Sequence, residues 1–261
     1  MKTSIFSAPH LPAINERVCG DCADLAGVSH LVSRSAHSDD ESEKLPLVVF
    51  LHGASHQKHL MRLNAPPRLV AENKLAFNPP FLLLSLLNNK NEPWSSERII
   101  EQVWRCCKDY SVDRNRIYIT GVSAGGIAVW ETICKYPDVF AAAVPVSAFN
   151  VSPAFQSTGA LPVWAVHGGS DSVLLPQHFV RSMERISGYL PNLRWTVLPD
   201  REHDAWSWTY SNPDLWAWMF SQSRILSQNF TLNPPSSIVS QSRSLLNQSS
   251  LCIDRSRSVM V

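Results

Sequence analysis

Three side chains in the sequence are of the types that nucleophilic acyl transfer requires: a serine, a carboxylate and a histidine. Ser123 is the centre of a Gly-x-Ser-x-Gly pattern at residues 121–125, and Asp171 and His203 follow it in the chain. In such a set the histidine takes the serine proton as the oxygen attacks a carbonyl, and the carboxylate orients the imidazole. The five-residue pattern alone is also compatible with a chance glycine-serine turn, so the surrounding elements decide its meaning.

The residues around Ser123 predict a geometry that would expose its hydroxyl. Residues 116–120 are rich in β-branched and aromatic side chains and predict a buried strand, whereas residues 127–135 have helical character. A tight turn between strand and helix forces its central residue into a strained backbone conformation, and flanking glycines leave room for neighbouring chains. We therefore expect Ser123 at the carboxyl edge of a sheet, with the N-terminus of the next helix directed at it.

Asp171 and His203 each follow a predicted strand. Those strands cover residues 161–166 and 193–198, and the carboxyl ends of parallel strands meet at one edge of a sheet. A carboxylate in this position is also a common turn former, and one histidine among nine can fall there by chance. The position and order of all three residues together favour a triad in which Ser123 is the nucleophile, Asp171 the acid and His203 the base.

A serine nucleophile also needs backbone donors for the oxyanion, each typically worth about 3 kcal/mol. The N–H of Ala124, directly after the nucleophile, is the first expected donor. The second should come from the loop after the apolar strand at residues 45–51, where Gly53 lets the backbone approach closely. We expect Ala54 to provide it, with Ser55 as the alternative.

The same loop contains three histidines whose spacing raises the question of a metal site. His52, His56 and His59 are separated by four and three residues, but no nearby carboxylate or thiol completes a ligand set. We predict no metal and no cofactor, and expect His52 to support the oxyanion loop.

Two tryptophans are candidates for the walls of a substrate pocket. Trp206 lies three residues after His203, and Trp94 precedes the helix that leads to the nucleophile strand. Ordinary core packing explains either residue equally well, because tryptophan is usually largely buried.

The pattern of strands and helices predicts an α/β fold with a mostly parallel central sheet flanked by helices. Apolar strands at residues 45–51, 81–87, 116–120, 141–147, 161–166 and 193–198 alternate with helices along residues 45–221. Residues 1–44 are predicted to form an irregular segment with one apolar patch at 28–32. The first strands of the sheet are therefore expected to be reduced, at most to one edge strand. Residues 222–261 are predicted to be a mobile tail, because 12 of the 41 residues from Ser221 onward are serine.

Composition narrows the class of partner. With 23 basic and 22 acidic residues the net charge is +1, which favours neither nucleic acid nor an anionic membrane as a partner. The six cysteines form no regular framework, and Cys19 and Cys22 are a lone CxxC without a second pair. The adjacent Cys106 and Cys107 are expected to be buried thiols. A cytoplasmic location follows as an expectation, whereas the oligomeric state leaves no mark in the sequence.

These residues together resemble the α/β-hydrolase superfamily. Within it the sequence is most similar to small esterases related to dienelactone hydrolases, polyhydroxyalkanoate depolymerases and proteins labelled predicted peptidases or phospholipase/carboxylesterase-like. The resemblance covers about residues 45–221, and its most specific segments are residues 51–54, 113–126, 136–142, 167–171 and 203–206. It implies cofactor-free ester hydrolysis by Ser123, Asp171 and His203. Relatives usually have a clear pair of strands before residues 45–51, and here residues 1–44 depart from that pattern.

The sequence therefore predicts a serine esterase that acts on a small-molecule carboxylic ester. Two alternatives stay open. A peptidase of the prolyl-oligopeptidase type would use the same triad, although such enzymes generally carry a gating domain for which 261 residues leave little space. A non-catalytic binding protein with the same fold would have no requirement for three catalytic groups in order.

Overall fold

A computed structural model describes residues 28–34, 43–54, 64–75, 79–88, 92–149 and 159–224. This part of the chain forms a seven-stranded sheet in the order β1-β3-β2-β4-β5-β6-β7. Strands β2 to β7 run parallel, and β1 pairs antiparallel with β3 at one edge. The strands are β1 (Val28–Arg34), β2 (Leu45–Leu51), β3 (Leu82–Asn88), β4 (Val112–Val122), β5 (Ala142–Val146), β6 (Val163–Gly168) and β7 (Leu193–Leu198). The helices are α1 (Pro66–Ala71), α2 (Ser96–Asp109), α3 (Ala124–Lys135), α4 (Pro176–Ser187), α5 (Trp206–Ser211) and α6 (Pro213–Phe220).

Helices cover both faces of the sheet, and alternate residues of the central strands contribute to two separate cores. In β2, Leu47 and Val49 pack with the buried faces of α2, α3 and α4, whereas Val48 and Phe50 pack with α1, α5 and α6. Every residue of β2 is buried, which explains its nearly continuous apolar sequence. The predicted fold class, a mostly parallel sheet flanked by helices, is confirmed.

Several predicted elements agree with the structure in detail. Strands β2 and β7 have the predicted bounds. Helix α2 begins after Ser95, whose hydroxyl accepts a hydrogen bond from the N–H of Arg98 at 3.3 Å. Strand β4 is longer than the predicted residues 116–120, because pairing between Leu45 and Val112 extends it across a polar stretch.

Two short helices were not predicted. Helix α1 begins at two consecutive prolines, which suit the first turn of a helix because their missing N–H groups need no partner there. Helix α5 has six residues and begins directly after the loop that carries His203. The carboxylate of Asp204 in this loop accepts a hydrogen bond from the N–H of Ser207 at 2.9 Å. Such short segments carry too little periodicity to stand out in a sequence.

The edge strand β1 contains the apolar patch at residues 28–32 and pairs along the full length of β3, from Val28 opposite Asn88 to Arg34 opposite Leu82. The other predictions for residues 1–44, including the lone CxxC, fall mostly outside the described residues, as do the tail from residue 225 onward and Cys252. Arg224, near the start of the predicted tail, donates its N–H to the carbonyl of Asn115 at 2.9 Å.

The described cysteines are buried thiols, as predicted for the adjacent pair. Cys106, Cys107 and Cys134 are all free and buried. Burial raises the pKa of the Cys107 thiol to about 11 and raises the pKa of Cys106 further, so both are protonated at neutral pH. Within the described ranges, no helix has the length and apolar character needed to cross a bilayer.

Candidate active site

Ser123 occupies the sharp turn between β4 and α3. Its backbone angles are φ 54° and ψ −121°, a conformation that costs a residue with a Cβ on the order of 1–3 kcal/mol. The N–H of Ser123 donates to the carbonyl of Val146 at 2.9 Å, and its own carbonyl accepts from Ile127 at 3.0 Å. The predicted strand, tight turn and helix, with a strained residue at the turn, are therefore confirmed.

The glycines of the Gly-x-Ser-x-Gly pattern allow three backbones to meet at this turn. A Cβ on Gly121 would lie 2.7 Å from the carbonyl group of Gly125 and 2.9 Å from the carbonyl oxygen of Leu51. A Cβ on Gly125 would overlap the carbonyl of Leu51 outright. Both glycines are thus required by close packing of β4, α3 and the end of β2, not by their own backbone angles.

His203 lies in the loop between β7 and α5 and bridges the other two predicted residues. Its Nε2 is 2.9 Å from the Oγ of Ser123, and its Nδ1 is 2.8 Å from Oδ2 of Asp171. An ionised carboxylate only accepts hydrogen bonds, so Nδ1 carries the proton and Nε2 is free to accept from the serine hydroxyl. The structure brings together all three side chains that were selected from distant parts of the sequence.

Asp171 follows β6 and uses its two oxygens for different purposes. Oδ1 accepts from the N–H groups of Val173 and Leu174 at 2.8 and 2.9 Å, which is the turn-forming role considered above. Oδ2 faces His203. The turn therefore holds the carboxylate in place, and the two interpretations of Asp171 are compatible. Its side chain has no exposed surface, so these contacts replace the lost hydration of the charge.

His167 is a buried residue of this site that sequence reasoning did not select. Its Nε2 lies 2.8 Å from the carbonyl of Leu174 and 3.4 Å from Oδ2 of Asp171, and its ring stacks on Phe179 with centroids 4.6 Å apart. Burial lowers the pKa of His167, so the ring is neutral at neutral pH and donates from Nε2. Its position four residues before Asp171 at the end of a predicted strand was the available signal.

His52 connects the ends of β2 and β3 below the predicted oxyanion loop. Its Nε2 accepts from the N–H of Asn88 at 3.1 Å, so the proton is on Nδ1, which donates to the carbonyl of Gly53 at 2.7 Å. The indole N–H of Trp94 donates to the carbonyl of His52 at 3.2 Å, and the two rings meet edge to face. Burial lowers the pKa of His52. These contacts suit the supporting role expected of His52.

The two predicted oxyanion donors lie at the ends of adjacent elements. Ala124 is the first residue of α3, where backbone N–H groups have no partner within the helix. Ala54 is exposed in the turn after β2, and Ser55, His56 and His59 lie outside the described residues. In the part of the chain that the structure describes, no three histidine, cysteine or acidic side chains cluster as a metal site.

Trp206 contacts His203 directly. Its ring meets that of His203 edge to face, with centroids 5.5 Å apart, and it is otherwise buried in the core beneath α5 and α6. An open depression of about 530 Å³ lies beside the loop that carries His203, and neither Trp94 nor Trp206 lines it. It is lined by Asn64, Arg201, Ser207, Trp208, Ser211, Asn212 and Pro213.

Comparison with known proteins finds partial matches to hydrolases. A sequence model of the prolyl oligopeptidase family matches residues 86–165. The bifunctional acetylxylan esterase/xylanase XynS20E of Neocallimastix patriciarum is 26% identical over 57% of this chain, and poly(3-hydroxyalkanoate) depolymerase C of Paucimonas lemoignei is 28% identical over 31%. The matches cover only 22% and 27% of the length of these two relatives.

A solved structure supports the assignment of the fold. A thermostable esterase superposes with a TM-score of 0.61 at 24% sequence identity, covering 76% of this chain and 60% of its own. The resemblance to α/β-hydrolase esterases drawn from the sequence is confirmed, and the chain is similar to the serine hydrolases and esterases of that superfamily.

Proposed function

We propose that this chain, which has the α/β-hydrolase fold, is a serine hydrolase that cleaves carboxylic esters of small molecules through an acyl-enzyme intermediate. The observation that carries the proposal is the pair of hydrogen bonds that links Ser123 to His203 and His203 to Asp171, at 2.9 and 2.8 Å. These distances are within the range needed for proton transfer to a general base.

Acylation uses His203 first as a base and then as an acid. As the Oγ of Ser123 attacks the ester carbonyl carbon, Nε2 of His203 takes the hydroxyl proton, and the ionised Asp171 stabilises the imidazolium that results. When the tetrahedral intermediate collapses, the bond from carbon to the alcohol oxygen breaks. The imidazolium gives its proton to that oxygen, the alcohol leaves, and the acyl group remains on Ser123.

Deacylation repeats these steps with water. His203 takes a proton from a water molecule as the water oxygen attacks the acyl carbon, and the same proton returns to the Oγ of Ser123 when the carboxylic acid leaves. The buried carboxylate of Asp171 keeps its position throughout, because two backbone N–H groups and the imidazole bind its oxygens.

The negative charge that develops on the carbonyl oxygen requires hydrogen-bond donors close to that oxygen. We assign this role to the N–H of Ala124, at the positive end of the α3 dipole, and to the N–H of Ala54. Removal of one such donor typically costs about 3 kcal/mol of transition-state stabilisation. These residues supply the complete reaction without a cofactor.

Esters are the favoured substrate class for this chemistry because one relative named above is a bifunctional acetylxylan esterase/xylanase and the other depolymerises poly(3-hydroxyalkanoate), a polymer joined by ester bonds. Trp94 and Trp206 are proposed to border the bound ester, since one packs on the support of the oxyanion loop and the other on the base. The alternative of a pure binding protein gives no reason for a strained serine within hydrogen-bonding distance of an oriented imidazole.

A second candidate is peptide hydrolysis, favoured by the match of residues 86–165 to the prolyl oligopeptidase family. The same triad would serve, but an amine is a much poorer leaving group than an alcohol and depends fully on protonation by His203. The match itself concerns the strand and helix around Ser123 and the neighbouring strands, which both kinds of enzyme share.

Turnover of matched ester and peptide substrates distinguishes these candidates. We expect p-nitrophenyl esters of short acids to be hydrolysed by the wild type, with activity abolished by Ser123→Ala and the melting temperature within a few degrees of wild type. Aminoacyl and dipeptidyl p-nitroanilides should be cleaved far more slowly. Preferential cleavage of the anilides would replace the esterase proposal by the peptidase, and ester turnover that survives Ser123→Ala would place the nucleophile elsewhere.

A further inference from the structure

Ser147, directly after β5, bonds to the neighbouring strand β6 and to the loop after β7. It is fully buried, its N–H donates to the carbonyl of Val166 at 2.8 Å, and its hydroxyl donates to the backbone carbonyl of His203 at 2.6 Å. The preceding residue, Val146, accepts the N–H of Ser123 at 2.9 Å. Two consecutive residues of one strand end therefore hold the backbones of both the nucleophile and the base.

The backbone of Ser147 is strained. Its φ is 48°, in the left-handed region, which is unfavourable for a residue with a Cβ. Among the described residues other than glycine, positive φ occurs at Asn73, Ser123 and Ser147, and two of these three are in the candidate site. A glycine would adopt this conformation without strain, but it would not supply a hydroxyl. Strain of this kind persists where the surroundings enforce it, and it concentrates at functional sites.

We propose that Ser147 is a positioning residue for His203, and that its hydroxyl fixes the backbone of the base where the imidazole reaches Ser123. The inference rests on the proposed function, because it assigns Ser147 a role in the same reaction. It adds a fourth side chain to the three that the sequence suggested.

The contact is suited to this role because the other contacts of His203 come from Ser123, from Asp171, and from Ala205 and Trp206 next to it in the chain. Asp171 binds Nδ1 of His203. The residues before His203 are hydrogen-bonded to the loop that carries Asp171, since the N–H of Ser170 donates to the carbonyl of Arg201 at 2.9 Å. Ser147 adds a hydrogen bond from the end of β5, the strand whose Val146 also accepts the N–H of Ser123. A displacement of about 1 Å between reacting groups can reduce a rate about 100-fold. Loss of this hydrogen bond should therefore slow the chemical step.

Replacement of Ser147 by alanine and by glycine separates positioning from simple packing. Ser147→Ala removes the donor and keeps the strained backbone, whereas Ser147→Gly removes both the donor and the strain. We expect kcat for a p-nitrophenyl ester to fall about tenfold in both variants, with KM within about twofold, because the loss affects chemistry and not substrate binding. The rate of labelling by a fluorophosphonate should fall by the same factor. The glycine variant should be at least as stable as the alanine variant and still be slow.

Thr120→Val is the matched control. Thr120 is also buried, and its hydroxyl donates to a backbone carbonyl of the same sheet, that of Val144, at 2.7 Å. This variant should lose stability and keep kcat at temperatures well below its melting point.

The outcomes separate this inference from the proposed function. If the wild type hydrolyses esters and both Ser147→Ala and Ser147→Gly keep kcat within about twofold, or if their rates follow their melting temperatures, the positioning role is wrong and the triad stands. If the folded wild type shows neither turnover nor fluorophosphonate labelling, the proposed function fails and this inference fails with it.

Discussion

The nucleophile turn and the loops that carry the acid and the base are built by different means. At the turn, the position of Ser123 depends on backbone packing: two glycines allow β4, α3 and the end of β2 to meet, and the strained φ is fixed by strand and helix on either side. In the two loops, Asp171 and His203 depend on side-chain hydrogen bonds between segments that are far apart in the chain.

This difference predicts two kinds of failure. A change at the glycines of the turn should disrupt the fold because it moves backbones, whereas a change in the loop that carries Asp171 or His203 should reduce the rate and leave the fold intact. Stability and turnover, measured on the same variants, should therefore separate the two regions.

Among changes in the loops that carry Asp171 and His203, the largest effect on rate is expected from Asp171→Asn. The asparagine oxygen can still accept from the N–H groups of Val173 and Leu174, but its NH₂ group would face His203 and favour the tautomer with the proton on Nε2. That tautomer cannot accept the proton of Ser123, so kcat should fall on the order of 10³- to 10⁴-fold. Thermal melting should change little.

The control for this prediction is Asp200→Asn, a loss of the same charge at an exposed position in the histidine loop. It should leave both kcat and the melting temperature close to wild type. A similar loss of rate in the two variants would mean that general electrostatics, and not the tautomer of His203, determines the effect.

The largest effect on stability is expected from Gly125→Ala. The new Cβ would overlap the carbonyl of Leu51, so a backbone must move, and such overpacking should cost about 3 kcal/mol. For a protein of this size that corresponds to a decrease of roughly 10 °C in melting temperature. Gly188→Ala is the control, because a Cβ there meets nothing within 4 Å and the backbone is right-handed helical. Equal melting temperatures for the two variants would contradict the packing explanation of the motif.

The smallest effect concerns pH. Burial lowers the pKa of His167, so below about pH 6.5 the unfolded chain binds a proton that the folded protein resists. The resulting contribution to stability is complete above about pH 6.5 and is lost as the pH falls below it. His167→Gln keeps a donor for Leu174 without titrating, and its melting temperature should decrease less steeply than that of the wild type between about pH 6.5 and 5. Parallel curves for the two proteins would show that His167 does not contribute.

The parts of the molecule that were predictable from sequence are those specified by local patterns. The nucleophile turn could be predicted because its strand, its glycines and its helix are contiguous, and β2 could be predicted because burial on both faces gives it a continuous apolar run. Helix α5 was not predicted, because its six residues are stabilised by packing of Trp206 and Tyr210 in the core and not by a local sequence pattern.

The contributions of His167 and Ser147 were not predicted for a different reason. Ser147 acts through a contact that exists only when β5 and the loop after β7 lie close together, and His167 through a contact with the turn that Asp171 forms. A lone serine at a strand end gives no local sign of a left-handed backbone, because left-handed geometry is usual for glycine and uncommon for other residues. The order of the strands is needed before such residues can be recognised.

The central claim is that Ser123 is an activated nucleophile in a folded site, and reaction with a fluorophosphonate tests it most directly. We expect intact mass spectrometry to show one covalent adduct on the wild type, peptide mapping to locate it at Ser123, and neither Ser123→Ala nor heat-denatured protein to react. A wild type that melts cooperatively but forms no adduct, or an adduct that persists in Ser123→Ala, would contradict the account.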